Sequence, residues 1–236
     1  MLMKKVLFTA TVNSHILHFH LPYLKMFKEK GYEVHVATGD VGDIPYCDKK
    51  HIVSFDRNPF SIKNVKAIFQ LREIMKFEDF DLVHTHTPSA SVVTRLAAKN
   101  FRKYGMKVFY TAHGFHFYKG APLKNWLLFY PIERFMARYT DVLITINLED
   151  FNFAKRKFRT NVEYIPGVGV DTKRFVDIRE DEKKKLREEL NIDENEFVII
   201  YPAELRKGKN QVVAISALRK LIFENFINVK LLLPRK

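Results

Sequence analysis

The chain has 236 residues, room for between one and two domains of the usual ~150 and enough to bury a core without disulfides or a structural metal. Its 47% hydrophobic and 28% charged residues exclude a disordered or collagen-like chain, and a single cysteine, Cys47, excludes an intrachain disulfide framework and suits a reducing compartment. The net charge of +13 is spread along the chain rather than gathered in a tail, which favours a broad basic face meeting an anionic surface or anionic substrates over a tethered nucleic-acid arm.

The opening, MLMKKVLFTATVNS, reads as a buried strand rather than a signal peptide, and no apolar run reaches the ~18 residues of a membrane span. Strand-length runs recur at Lys5–Thr11, Glu33–Thr38, Leu82–His86, Lys107–Ala112, Val142–Ile146 and Glu163–Pro166. Their apolarity is continuous rather than alternating, as in strands covered on both faces of a parallel sheet. Helical spacing fills the intervals at Ile16–Lys30, Val65–Phe77, Ala90–Tyr104, Asn125–Arg138 and Leu148–Lys157, with Gly31 as a C-terminal stop. This alternation predicts a doubly wound α/β sheet.

A boundary is expected after Ile165-Pro166-Gly167-Val168-Gly169. Beyond it come a charged helix at Arg179–Leu190, a strand at Phe197–Tyr201, a helix at Gln211–Glu224 and a strand at Val229–Leu233. These are the beginnings of a second α/β domain, shorter than a domain's usual ~100–150 residues. Its apolar strands would keep exposed edges open to pairing with another chain.

Nine histidines raise the question of a metal, but no helical HExxH occurs and one cysteine rules out the usual zinc spacings, so no metal is expected. Three groups follow predicted strands: His15, His18 and His20 after the first, His84 and His86 on the third, His113 and His116 after the fourth. They are either satisfied polar groups at strand ends or ligand contacts, since open α/β sheets bind ligands at their carboxyl edge. Neither GxGxxG nor GxxxxGK[ST] is present, which disfavours dinucleotide and P-loop binding. Ala203-Glu204-Leu205-Arg206-Lys207-Gly208-Lys209-Asn210-Gln211 puts cations and a glycine before a helix, either a solvated helix start or a diphosphate cradle.

Several segments together resemble glycosyltransferase family 4, retaining enzymes of the GT-B fold, in the subgroup that builds bacterial capsular and extracellular polysaccharides. They are Ser14–His20, Asp81–Pro88, Thr111–Pro122 (TAHGFHFYKGAP), Tyr139–Asn147, Tyr164–Asp171 and Glu204–Gln211. The resemblance implies an N-terminal acceptor-binding Rossmann-like domain over residues 1–168, a hinge over 169–178 and a donor-binding domain, incomplete, over 179–236. His113 matches the family's active-site histidine. Ser14, His15, His86, His116, Tyr118 and Lys119 are the expected acceptor contacts. Glu204, Arg206 and Lys209 are the expected donor-diphosphate contacts, although the family commonly has arginine where Glu204 stands. The paired glutamates that grip the donor nucleotide are expected beyond residue 236, so weak donor binding and very low turnover are expected of these residues alone.

The implied reaction moves a sugar from a nucleotide-sugar to a lipid-linked glycan without a metal or other cofactor. It would run at the cytoplasmic face of the membrane, with a peripheral protein and no nucleic acid as partner. A non-catalytic relative that binds acceptor or partner is the alternative. The stretch Pro122–Arg138 joins Trp126, Leu127, Phe129, Tyr130, Phe135 and Met136 to Lys124, Arg134 and Arg138, with Pro131 inside. It reads either as an interfacial helix meeting anionic lipid or as a helix packed on the sheet.

Overall fold

A computed structural model describes residues 3–173, 175–224 and 228–234; Arg174, in the expected hinge, lies outside them. The chain divides into two compact units, Met1–Gly169 and Val170–Lys236.

The first unit is built on seven parallel strands: β1 (Lys5–Thr9), β2 (Glu33–Thr38), β3 (Lys49–Ile52), β4 (Leu82–Thr85), β5 (Lys107–Ala112), β6 (Val142–Thr145) and β7 (Asn161–Tyr164). Their order is β3-β2-β1-β4-β5-β6-β7. The α/β class expected from the alternating runs is the class observed. Leu7 of β1 stands in register with His35 on one side and Val83 on the other.

Successive side chains of β1 alternate between two cores. Val6 and Phe8 pack with Ile16, Leu24, Val34 and Val36 under α1 (Asn13–Phe19) and α2 (Leu21–Glu29). Leu7 packs with Ala67, Leu71, Val83, Val93 and Val108 under α3 (Ile62–Glu78) and α4 (Pro88–Ala98). Burying each such aliphatic side chain contributes about 1.5–3 kcal/mol. A third, aromatic core gathers Tyr110, Phe115, Phe117 and Phe158 with Trp126, Phe129 and Tyr130 beneath α5 (Leu123–Met136) and α6 (Leu148–Lys157).

Three expectations need correction. The single helix expected at Ile16–Lys30 is two, broken at His20 (φ −121°, ψ −3°), where Leu21-Pro22 starts the second. Strand β3, Lys-Lys-His-Ile, was not expected, because an edge strand needs no continuous apolarity; its residues are exposed or half-buried. The helix expected over Ala90–Tyr104 ends at Ala98, and a short 3-10 turn covers Phe101–Tyr104.

In the second unit α7 (Glu180–Glu189) precedes a two-stranded parallel sheet of β8 (Phe197–Ile200) and β9 (Val229–Leu232), with α8 (Gln211–Phe223) between them. Phe197, Ile200, Val212, Val213 and Ile215 are exposed.

Candidate functional site

The order of strands creates the site. From β1 the chain runs outward through α1 and α2 to β2, whereas β4 lies on the other flank of β1. Connections leave the carboxyl ends of β1 and β4 in opposite directions, the switch point at which open α/β sheets bind ligands. After β1, helix α1 carries His15 and its C-terminal end His20; the connection after β4 carries His86, and the loop after β5 carries His113.

Threonines pin this edge. The Thr9 hydroxyl donates to Thr85 Oγ1 at 2.7 Å, and the Thr11 amide donates to Thr87 Oγ1 at 3.1 Å. The Thr11 and Thr87 hydroxyls also bond at 2.8 Å. Thr87 has φ +60°, a costly conformation for a β-branched residue, of the order of 1–3 kcal/mol. Those bonds hold it there while the neighbouring His86 amide donates to Thr9 O at 2.8 Å. Gly39, at the end of β2, donates to Thr11 O at 3.1 Å. A Cβ on Gly39 would stand 3.0 Å from that same oxygen, so a side chain there would push the Thr11 carbonyl back by a few tenths of an ångström.

The loop after β5 is tied down equally closely. The Phe115 amide donates to the buried Asp150 Oδ2 at 3.0 Å, and Asn147 Nδ2 donates to the same oxygen at 2.8 Å. Asn147 caps α6 by accepting from the Asp150 amide at 2.8 Å. Further along, the Lys119 amide donates to Glu149 Oε1 at 2.8 Å and Asn125 Nδ2 donates to His116 O at 2.9 Å. Gly114, φ +125°, makes the turn that follows His113.

Five imidazoles meet here. His15 Nε2 and His113 Nε2 are 3.2 Å apart, so one donates and the other accepts, and the rings stand edge to face with centroids 4.5 Å apart. His20 stacks on His86 at 3.6 Å between centroids. His84 lies 4.3 Å from His86 and bonds Thr111 Oγ1 at 2.8 Å through Nε2. Neither nitrogen of His20 nor of His86 meets a hydrogen-bonding partner.

Burial, reinforced by the neighbouring imidazoles, lowers His15 to about 4, His20 to about 2 and His84 to about 3. The same causes hold His86 well below its ordinary value, and burial alone lowers His113. The rings are therefore neutral at physiological pH, each with one N–H and one lone pair.

Of the residues singled out in the sequence, His15, His86 and His113 come together. His15 and His113 are half-buried and His86 is wholly buried. Ser14 is exposed on α1, and its carbonyl faces His18 Nδ1. His116, Tyr118 and Lys119 are exposed on the tied loop, where His116 lies on the Phe129 ring at 4.6 Å between centroids. In the second unit Glu204, Arg206 and Lys209 are exposed between β8 and α8. Arg206 Nε is 3.1 Å from Glu204 Oε2, which offsets part of the loop's positive charge. Tyr201 Oη donates to Lys209 O at 2.7 Å, and Gln211 Nε2 donates to Glu204 O at 2.6 Å.

Three residues of this edge, His20, His84 and Asp150, had no role assigned from sequence. His20 enters because the helix break turns it inward; its signal was the crowding of three histidines before Leu21-Pro22. Asp150 enters as the anchor of the His113 loop, and Asn147-x-x-Asp150 after a strand was the signal for its helix start.

The sequence matches the glycosyl transferase 4-like family over residues 5–147. It is 48% identical over 216 residues to the provisionally named glycosyltransferase EpsD of Bacillus subtilis (strain 168), covering 91% of this chain and 57% of that protein. It is 30% identical over 177 residues to the UDP-Gal:alpha-D-GlcNAc-diphosphoundecaprenol alpha-1,3-galactosyltransferase of Escherichia coli, covering 72% of this chain and 44% of that one. The chain thus spans about half the length of these curated relatives. Sucrose-phosphate synthase of Thermosynechococcus elongatus matches with a TM-score of 0.69 at 13% identity, over 98% of this chain and 62% of that one, a likeness of GT-B fold. With more than half its length inside the family's pattern, the chain belongs to the glycosyl transferase 4-like family.

Proposed function

We propose that the chain is the acceptor side, and part of the donor side, of a retaining enzyme. It would transfer a sugar from a nucleotide-sugar to a lipid-linked glycan in the assembly of a capsular or extracellular polysaccharide. The observation that carries the reading is the convergence of neutral imidazoles from the segments after three strands at the switch point of a chain in this family. The acceptor named for the Escherichia coli relative, a diphosphoundecaprenol-linked saccharide, supports the acceptor class.

In this mechanism the departing diphosphate accumulates negative charge, and cations with helix N–H groups stabilise it where it develops. Arg206, Lys209 and the start of α8 supply them, with Glu204 opposing. The leaving phosphate takes the proton of the acceptor hydroxyl. His113, fixed by His15 and by the anchored loop behind it, orients the sugar or polarises a hydroxyl, and no metal enters the transfer step. Ser14, His15, His116, Tyr118 and Lys119 meet the acceptor from the rim, with His86 supporting them from beneath.

The protein works at the cytoplasmic face of a membrane. No helix among the described residues is long and apolar enough to cross one. Helix α5 packs Trp126, Phe129 and Tyr130 into the aromatic core and leaves Leu123, Lys124, Leu127, Arg134 and Phe135 exposed, with Arg138 exposed in the 3-10 turn that follows. The inner face fits the reading of a helix packed on the sheet, and the composition of the outer face supports the reading of an interfacial surface. The two-stranded sheet of β8 and β9 has edges through which copies would pair.

Incubation with nucleotide-sugars and undecaprenyl-diphosphate saccharides, followed by mass spectrometry of the lipid, tests the reading. A product one sugar longer, lost in His113→Ala, is expected. Saturable binding of the lipid saccharide with no extension by any donor would select the non-catalytic alternative.

A further inference from the structure

We propose that His15, His20, His86 and His113 form a binding site for a divalent transition metal of the zinc, cobalt or nickel kind. One ring nitrogen from each lies within 4.8 Å of the others. The His15–His113 separation of 3.2 Å is already that of a tetrahedral edge, about 3.3 Å for metal–nitrogen bonds of ~2.0–2.1 Å. His20 and His86 are stacked with their planes 27° apart, so one of the two must swing out of the stack for both in-plane lone pairs to reach one ion and complete a four-nitrogen set.

The second argument is the state of the deeper pair. His20 and His86 are buried, and none of their four ring nitrogens has a partner. A buried polar group left unpaired costs about 1–3 kcal/mol. Coordination by a lone pair removes that cost for one nitrogen of each ring.

The donor set selects the metal. Four imidazoles without a carboxylate suit zinc, cobalt, nickel or copper and do not suit magnesium or calcium, which prefer oxygen. Burial keeps these rings unprotonated at physiological pH, the form that ligates. The other group of three potential ligands, His35, His51 and Glu78, is already satisfied. His35 bonds His51 Nε2 at 2.9 Å and Glu33 Oε1 at 2.7 Å, and Glu78 is paired with Lys5 and Lys49.

Metal-ligating histidines ordinarily donate their second nitrogen to a carboxylate or carbonyl, and losing that partner lowers affinity 10–100-fold. His20 and His86 lack it. Micromolar rather than tighter binding follows. A bound ion would take the nitrogens of His15 and His113, so on the transfer mechanism proposed above it would compete with the sugar; the binding site itself does not depend on that mechanism.

Titration of the 236-residue protein with Co(II) at neutral pH, followed by visible absorption, tests the site. One equivalent should bind at micromolar concentration with the intense bands of four-coordinate cobalt, and zinc should displace it. His86→Phe, which keeps the stack on His20, and His15→Ala, at a half-exposed position, should each weaken binding at least tenfold, while His51→Ala leaves it unchanged. Three results would overturn the proposal: a failure to develop those bands up to millimolar cobalt, an unchanged titration in both His86→Phe and His15→Ala, and loss of binding in a folded His51→Ala.

Discussion

His15, on α1, and His113, on the loop after β5, face each other Nε2 to Nε2 at 3.2 Å across the carboxyl edge of the sheet, 98 residues apart in sequence. One ring must carry the shared proton and the other must offer a lone pair, so the two imidazoles have opposite tautomers on the facing side. The contact fixes the orientation of His113 against an element, α1, that belongs to a different flank of the sheet.

His113→Ala is expected to lower sugar transfer about 10²-fold or more in a chain that retains the donor site, the range for a lost acid–base or polarising group. Its thermal midpoint should stay near that of the parent, because His113 is half-buried and the Phe115–Asp150 bond anchors the loop. A parallel fall of midpoint and turnover would make it a structural histidine instead. His116→Ala and Lys119→Ala should act more mildly and in an acceptor-dependent way.

Stability should fall as pH drops from about 6.5 towards 4. The unfolded chain protonates His15 near 6.5, whereas the folded chain does so only near 4, and His84 only near 3. Between those values the unfolded state binds more protons, so acid favours it; above 6.5 the term vanishes. Denaturant titrations at pH steps across this window should give a positive slope of stability against pH. His15→Gln should flatten it by up to about one proton, and an unaltered slope would remove His15 from the account.

Arg95 and Glu133 form a buried ion pair, with Arg95 Nη2 2.9 Å from Glu133 Oε2 and Arg95 only 1% exposed. The guanidinium also lies 4.3 Å from the Tyr110 ring centroid and donates to Ser91. Removing the acid leaves a buried charge without its counterion, so Glu133→Ala should cost about 3–5 kcal/mol in urea denaturation. The double replacement Arg95→Met with Glu133→Leu should cost less than Glu133→Ala alone. Equal or greater loss in the double variant would mean that packing, not charge, dominates.

Flotation with vesicles rich in anionic lipid should recover the protein at low salt and release it at high salt. Arg134→Ala should lower partitioning about fivefold, the equivalent of about 1 kcal/mol for one cation near such a surface. Leu127→Glu, on the same exposed face of α5, should lower it further. Binding that ignores salt, or that survives Leu127→Glu unchanged, would place the contact elsewhere.

The sequence by itself determined the parallel sheet, because strands covered on both faces are apolar almost throughout, as Val6-Leu7-Phe8 and Val34-His35-Val36-Ala37 are, with His35 the one polar residue among them. It could also put each histidine group at a strand's carboxyl end, since that follows from chain order alone. It could not reveal β3, whose Lys49-Lys50-His51-Ile52 is a strand only because the edge of β2 offers it hydrogen bonds. Nor could it split the helix after β1 at His20, since Pro22 is compatible with the first turn of a new helix as well as with a kink. Which histidines meet was decided by the tertiary structure. Strand order put β1 beside β4 and β4 beside β5, and only then did loops distant in sequence share one edge. Their shifted protonation followed from the same step: burial and mutual proximity, not residue type, keep these imidazoles neutral.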